Sequence, residues 1–256
     1  MKKVLLAIGG LIGIFVVVFG AIMGSTFGGM KPMTGGEELP GGARRVTSSY
    51  TSAYVIPAGE KEVVLVDCND DIDAKAIKAE LTRRGLGVDA VKTILLTHGH
   101  PDHTGGCKQF PGAQVIIGDG EQGLVDGTVG SQGPLPKMMG KQPQLAIQGA
   151  RPVKDGTLIE VGTLQVRAYV IPGHTTGSAA YLVNGALFVG DSLAFNSDGT
   201  VRPAPWIFSD DGATNVASLK RLGKLLASEN ADVKVIVPAH SGSVEGLKSL
   251  VDYSGT

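Results

Sequence analysis

Val91-Lys92-Thr93-Ile94-Leu95-Leu96 runs straight into Thr97-His98-Gly99-His100-Pro101-Asp102-His103. The first six residues are mostly apolar and suit a short buried strand. The next seven hold three histidines and an aspartate, on the loop where that strand stops. Ligands of α/β sheets commonly bind at such strand ends. The chain has five histidines in all. The remaining two sit in Gly/Pro-flanked loops: Pro172-Gly173-His174-Thr175-Thr176-Gly177 and Val237-Pro238-Ala239-His240-Ser241-Gly242. A neutral imidazole is a good ligand for zinc and similar ions. One lone histidine would be read as structural, but this pattern leaves none for ordinary use. Within the first run, His98 and His100 can reach one ion while Asp102 and His103 point at another.

The flanking sequence alternates strands and helices. Ser49–Ile56 reads as a strand, and Val63-Val64-Leu65-Val66 as a buried one. Asp71–Arg84 has helical spacing of Ile72, Ala76, Ile77, Ala79 and Leu81, ended by Gly85. Ala113–Ile117 is another strand. Gly118–Asp155 is irregular and rich in Gly, Pro, Gln and Met, which suits a segment covering the site. The second half repeats the style, with strands at 157–160, 164–170, 179–183 and 186–189. Asn184-Gly185 between the last two is a hairpin signal. Asp210–Ser228 carries Val216, Leu219, Leu222, Leu225 and Leu226 at helical spacing. Val233–Val237 is a strand that stops before His240, and Val244–Val251 reads as a final helix. Two packed β-sheets with helices outside are expected.

Composition narrows the function. A net charge of -1 over 256 residues gives no sign of a nucleic-acid partner, which usually leaves a basic patch or stripe. The 38 glycines suggest tight turns between short strands. Two cysteines make no disulfide framework. A Cys68–Cys107 bridge is conceivable, but free thiols acting as small hydrophobes are the favoured reading. After Met1-Lys2-Lys3, the uncharged run Val4–Met23 has about the ~20 residues that span a bilayer. Residues 1–27 therefore read as a transmembrane anchor or a cleaved signal segment. The paired lysines stay cytoplasmic and the domain lies outside, periplasmic or extracellular. Residues 28–45 read as a Gly-rich linker, and 46–256 as one domain.

Extended by Thr104-Gly105-Gly106, the histidine run resembles the signature of the metallo-β-lactamase superfamily. Pro172-Gly173-His174-Thr175 and Val189-Gly190-Asp191 are similar to its next two motifs. Pro238-Ala239-His240-Ser241-Gly242 is similar to the last, and Leu65-Val66-Asp67 to the strand-ending aspartate before the first. The motifs keep the family's order and cover most of residues 46–256. The resemblance implies an α/β fold, the αββα sandwich, with two mixed β-sheets and helices on the outer faces. It implies that His98, His100 and His174 hold one metal, that Asp102, His103 and His240 hold a second, and that Asp191 bridges them. Two zinc ions are expected, with iron or manganese left open. Two cations about 3.5–4 Å apart share a bridging water and lower its pKa toward neutrality. The hydroxide would attack an ester, thioester, lactone or amide of a small molecule, with Asp102 orienting it and moving a proton. A metal would polarise the carbonyl.

Other residues carry weaker readings. Asp67 and Thr97 are expected to support the histidine loop rather than bind metal. Trp206 and Phe208 line a substrate pocket or are plain core aromatics. Met138 and Met139 form an apolar flap or pack a loop. Asp191 resembles glyoxalase-II-like and lactonase-like members more than the zinc β-lactamases with Cys there. The chain ends 16 residues after His240, where glyoxalase II continues into a helical glutathione-binding region, so a glutathione-thioester hydrolase is not the expectation. The resemblance leaves two alternatives: an iron-dependent redox member such as a persulfide dioxygenase, and a non-catalytic metal-binding protein on the same fold.

Overall fold

The computed structural model describes residues 2–255, and the side chains of residues 2–9, 11 and 15 lie outside the described residues. The chain divides into two compact units, Met1–Met30 and Lys31–Thr256. The first contains helix α1 (Lys2–Phe27). Among the described residues no helix is long and apolar enough to cross a membrane. The span expected over Val4–Met23 falls partly on the side chains outside the described residues.

The second unit is built on two sheets. The first holds β1 (Glu38–Leu39), β2 (Ala43–Ser48), β3 (Thr51–Pro57), β4 (Val63–Val66), β5 (Val91–Leu95), β6 (Gln114–Gly118) and β7 (Arg151–Val153), side by side in that order. Pairing is antiparallel from β1 to β4 and parallel from β4 to β7. Helix α2 (Lys75–Arg83) crosses from β4 to β5. The short helices α3 (Pro101–Thr104), α4 (Gln122–Val125) and α5 (Pro136–Met139) follow β5 and β6.

The second sheet contains β8 (Leu158–Val161), β9 (Leu164–Val170), β10 (Ala179–Val183) and β11 (Ala186–Gly190). Strands β12 (Leu193–Phe195) and β13 (Val201–Pro203) form a separate ribbon. Helix α6 (Gly212–Ser228) then leads to β14 (Val235–Pro238), β15 (Val244–Glu245) and α7 (Lys248–Val251). The sheet order is β15-β14-β11-β10-β9-β8.

Burial explains why β4 and β11 lack polar alternation. In β4, Val64 and Val66 join Tyr54, Leu95, Tyr181 and Phe188 between the sheets. Val63 and Leu65 of the same strand pack on the other face against Ile77 and Leu81 of α2. In β11, Leu187 and Val189 meet Leu219, Leu222 and Leu226 of α6. A strand covered on both faces must be apolar throughout. The result is the αββα sandwich, with burial of each such leucine contributing ~1.5–3 kcal/mol. Asp211 starts α6 by accepting hydrogen bonds from the Ala213 and Thr214 amides.

Asn184 and Gly185 both have positive φ, 51° and 85°, as a type I′ hairpin requires. Three expectations need correction. The stretch read as a linker, 28–45, is partly folded: it contains β1 and the start of β2, and Leu39, Ala43 and Arg45 are buried. Its Gly41 and Gly42, at φ 72° and 73°, make the turn between those strands. The final helix is shorter than 244–251, because Val244 and Glu245 pair with β14 and a turn at Gly246 precedes α7. The cysteines are not free: Cys68 and Cys107 form a disulfide. The Cys68 amide donates to His103 O at 2.7 Å, which seats the α3 segment on the end of β4. That brings the two Cα atoms to 5.2 Å, within disulfide reach across 39 residues.

Candidate metal centre

Every residue singled out for metal follows the C-terminal end of a strand. Thr97, His98 and His100 follow β5, with Asp102 and His103 on α3. His174 follows β9, Asp191 follows β11, and His240 follows β14. The parallel pairs β4–β5 and β11–β14 bring these ends together from the two sheets. Gly190 lets them approach: its φ is 55°, and a Cβ there would stand 2.3 Å from Thr97 Oγ1.

The seven donors fall into two adjoining groups: His98, His100 and His174, then Asp102, His103, Asp191 and His240. In the first, His98 Nε2 lies 3.0 Å from His100 Nδ1 and 3.2 Å from His174 Nε2, and the latter two nitrogens are 3.1 Å apart. Donors held at ~2.0–2.1 Å around a tetrahedral zinc stand roughly 3.3 Å from one another. In the second, His240 Nε2 lies 3.0 Å from Asp191 Oδ2 and 3.3 Å from Asp102 Oδ2. His103 Nε2 is 3.1 Å from Asp191 Oδ1. Neither of these last two atoms has an aligned hydrogen-bond partner, although both are buried. Asp191 Oδ2 also lies 3.6 Å from His174 Nε2, so this carboxylate borders both groups. Buried donors that converge this closely from both sheets, two of them without a hydrogen-bond partner, fit divalent cations.

The far side of each ring is also held. His103 Nδ1 donates to Asp67 Oδ2 at 2.8 Å, which leaves Nε2 free to face Asp191. Asp67 further accepts from Thr97 N and Thr97 Oγ1, both at 2.8 Å. His98 Nδ1 lies 3.2 Å from Thr97 Oγ1. His174 Nδ1 donates to Ser209 Oγ at 3.2 Å, whose own proton goes to Pro205 O. His240 Nδ1 donates to the Tyr50 carbonyl at 2.8 Å, and the Tyr50 ring stacks over it at 5.6 Å. Asp67 and Thr97 thus stand behind the donors, as supports.

The electrostatics of the two groups differ. Burial, then neighbouring imidazoles, pushes His98 well below the usual histidine range. Burial also lowers His100 and takes His174 down to about 3. These three rings are neutral and their lone pairs available. In the second group burial again opposes charge, but the carboxylates win. Asp191, Asp67 and Asp102 hold His103 well above its ordinary value. Asp191 and Asp102 raise His240 to about 10. Against burial, His103 and His240 in turn lower Asp102 to about 2 and Asp191 further.

Trp206 is 62% exposed on a one-turn helix at 206–208 and is not a core aromatic. Phe208 is half-buried in the same turn. Neither residue belongs to the two donor groups. Met138 and Met139 are exposed on α5.

Sequence reading missed several supporting residues. Glu121 is buried and accepts from Gly99 N, Thr175 Oγ1 and Gly177 N at 2.7, 2.9 and 2.8 Å. It ties the first histidine loop to the one carrying His174, and burial raises its pKa. Ser209 and Tyr50 were also missed. No local pattern marks any of them.

The family profile described as Metallo-beta-lactamase superfamily matches residues 46–240. The chain belongs to the metallo-β-lactamase superfamily. A hydroxyacylglutathione hydrolase of Shewanella oneidensis is 31% identical over 202 residues, covering 77% of this chain and 60% of the relative. One of Aliivibrio salmonicida is 30% identical over 144 residues, covering 55% of this chain and 46% of the relative. The chain spans about half the length of the curated relatives it matches. Among solved structures, a metallo-beta-lactamase family protein of Thermus thermophilus superposes with a TM-score of 0.60 at 27% identity, over 82% of this chain and 76% of the other. A B3 metallo-beta-lactamase with an active-site glutamic acid superposes with a TM-score of 0.66 at 20% identity, over 90% and 89% of the two chains, and this shows the shared fold.

Proposed function

We propose that this chain is a hydrolase that uses two zinc ions to cleave an ester, thioester, lactone or amide bond of a small molecule. The observation that carries the reading is the pair of adjoining donor groups with Asp191 on their common border. His98, His100 and His174 would hold one ion, Asp102, His103 and His240 the other, and Asp191 both. Bound there, divalent ions supply a water-derived nucleophile at neutral pH and an electrophile for the substrate carbonyl.

The chain's own residues do the rest. Asp67, Ser209 and the Tyr50 carbonyl orient His103, His174 and His240. Asp102 and His240 keep some exposure, whereas His98 and His103 have almost none, so substrate approaches over the former pair. The Asp102 carboxylate is ionised at neutral pH, so it can accept a hydrogen bond from the attacking water and orient it. The exposed Tyr50 ring, stacked on His240, offers an aromatic face at the same edge.

Thioesters and lactones come first among substrates. An Asp rather than a Cys stands at position 191, and the 30–33% identical relatives are named hydroxyacylglutathione hydrolases. β-Lactams follow, on the strength of the neighbouring folds. Export is proposed too: the Val4–Met23 run would carry the domain outside the cytoplasm, and disulfides such as Cys68–Cys107 persist in oxidising compartments.

Elemental analysis of the purified full chain tests the metal reading. About two zinc ions per chain, with hydrolysis of a thioester, lactone or β-lactam that a chelator abolishes, is the expected result. About one iron with oxygen uptake, or a chain that takes up no metal, would overturn it.

A further inference from the structure

Arg45 is fully buried, with no exposed surface on its side chain. A buried guanidinium is costly unless every donor is met. This one lies on β2 of the first sheet, yet it reaches the loop after β14 of the second. Its Nη1 donates to Pro238 O at 3.2 Å, Ser241 O at 3.1 Å and Ser52 Oγ at 3.0 Å. Nη2 donates to Ser243 Oγ at 2.8 Å, and Nε pairs with Glu37 Oε2 at 2.8 Å. Ser243 Oγ donates to that same carboxylate oxygen at 3.1 Å. The guanidinium carbon sits 5.3 Å from the centre of the Tyr54 ring, whose hydroxyl donates to the Pro238 carbonyl at 2.6 Å. Pro238 and Ser241 bracket His240.

The fork of a guanidinium fixes directions as well as distances. Here it holds the backbone on both sides of His240. His240 Nδ1 in turn bonds the carbonyl of Tyr50, in the turn between β2 and β3. Strand β2 thus carries the clamp and leads into the turn that receives the imidazole. We propose that the Arg45–Glu37 pair is a positioning device for His240 and sets how tightly the second metal position binds. The proposal rests on the two-ion reading of the centre.

The test is stepwise zinc titration of the metal-stripped full chain against a chromophoric chelator. His174→Ala and His240→Ala identify which binding step belongs to which donor group. Arg45→Met, which keeps bulk and loses the fork, should weaken the step lost in His240→Ala by about 10–100-fold. The other step should stay within about threefold of wild type. Arg45→Lys should recover part of the loss, because an ammonium still meets Glu37. A merely structural role would lower unfolding stability and weaken both steps alike. A folded Arg45→Met chain that binds both ions as wild type does, or loses both equally, overturns the proposal. Where Arg45→Met does not fold, Glu37→Gln takes its place: about tenfold weakening of the His240 step supports the clamp, and no change overturns it. A wild-type chain that takes only one zinc would refute the two-ion reading itself, and the proposal with it.

Discussion

Asp67→Asn isolates the role of a single proton. The substitution preserves shape, so the buried pocket stays filled. In the native arrangement Oδ1 accepts from Thr97 N, while Oδ2 accepts from Thr97 Oγ1 and His103 Nδ1, all at 2.8 Å. An amide offers one acceptor and one donor in their place. If its oxygen faces Thr97 N, its NH2 faces His103 Nδ1, and that ring must move its proton to Nε2. Nε2 is the atom that faces Asp191, and a protonated nitrogen is no ligand. If the amide flips, its NH2 opposes the Thr97 amide and leaves a buried donor unpaired. Either escape costs ~1–3 kcal/mol. At 1.4 kcal/mol per tenfold, that is roughly 5–150-fold in affinity. The loss should fall on the ion held by His103, with the three-histidine group close to wild type. Zinc titration of the stripped chain against a competing chelator reads both steps. Two ions bound by folded Asp67→Asn with unchanged affinities would refute the tautomer argument.

Three further outcomes are expected. Glu121→Gln should act on the opposite group: its NH2 would face a backbone N–H of Gly99 or Gly177, and the three-histidine step should weaken about tenfold while the other holds; an unchanged first step in a competition titration would count against it. Metal affinity should rise with pH, because His103 and His240, the latter with a pKa near 10, hold protons at neutral pH that ligation must expel; calorimetry in buffers of different ionisation enthalpy should show net proton release, and none would contradict the reading. Reducing Cys68–Cys107 removes a cross-link spanning 39 residues, worth about 4 kcal/mol by the chain-entropy estimate; denaturant melts with and without reductant should separate by about 2–4 kcal/mol, and coincident melts would rule this out.

The donors could be read in sequence because four of the seven occupy one loop and the rest stand in short Gly/Pro-flanked turns after apolar runs. Strands β4 and β14 were readable for a related reason: burial on both faces makes them continuously apolar. What stayed hidden acts at a distance. Glu121 reaches Gly99 across 22 residues and Gly177 across 56. Arg45 reaches Ser241 across 196. No local periodicity encodes such partners, since any polar residue in a glycine-rich stretch reads as solvated. The same composition disguised β1 and β2 as linker, because Gly41 and Gly42 serve a tight turn there rather than flexibility. The disulfide escaped because pairing depends on how α3 packs against the end of β4, which spacing alone does not reveal.

The two donor groups also bear on what metal removal would do to the sandwich. Each group draws on both sheets: His98 and His100 follow β5 while His174 follows β9, and Asp102 and His103 on α3 face Asp191 and His240 from the second sheet. A cluster of like charges there would push the sheets apart. In the first group burial removes the problem by keeping all three imidazoles neutral. In the second, two carboxylates face two protonated imidazoles, His103–Asp191 at 3.1 Å and His240–Asp191 at 3.0 Å among them. Opposite charges face one another within the group, and Asp67 adds a further carboxylate behind His103, so no cluster of like positive charge opposes the inter-sheet core. One divalent cation taking the place of those two protons would leave the group's charge unchanged against the same carboxylates. The second group is therefore arranged for exchange: protons hold it when metal is absent, and their release is the condition for metal to enter.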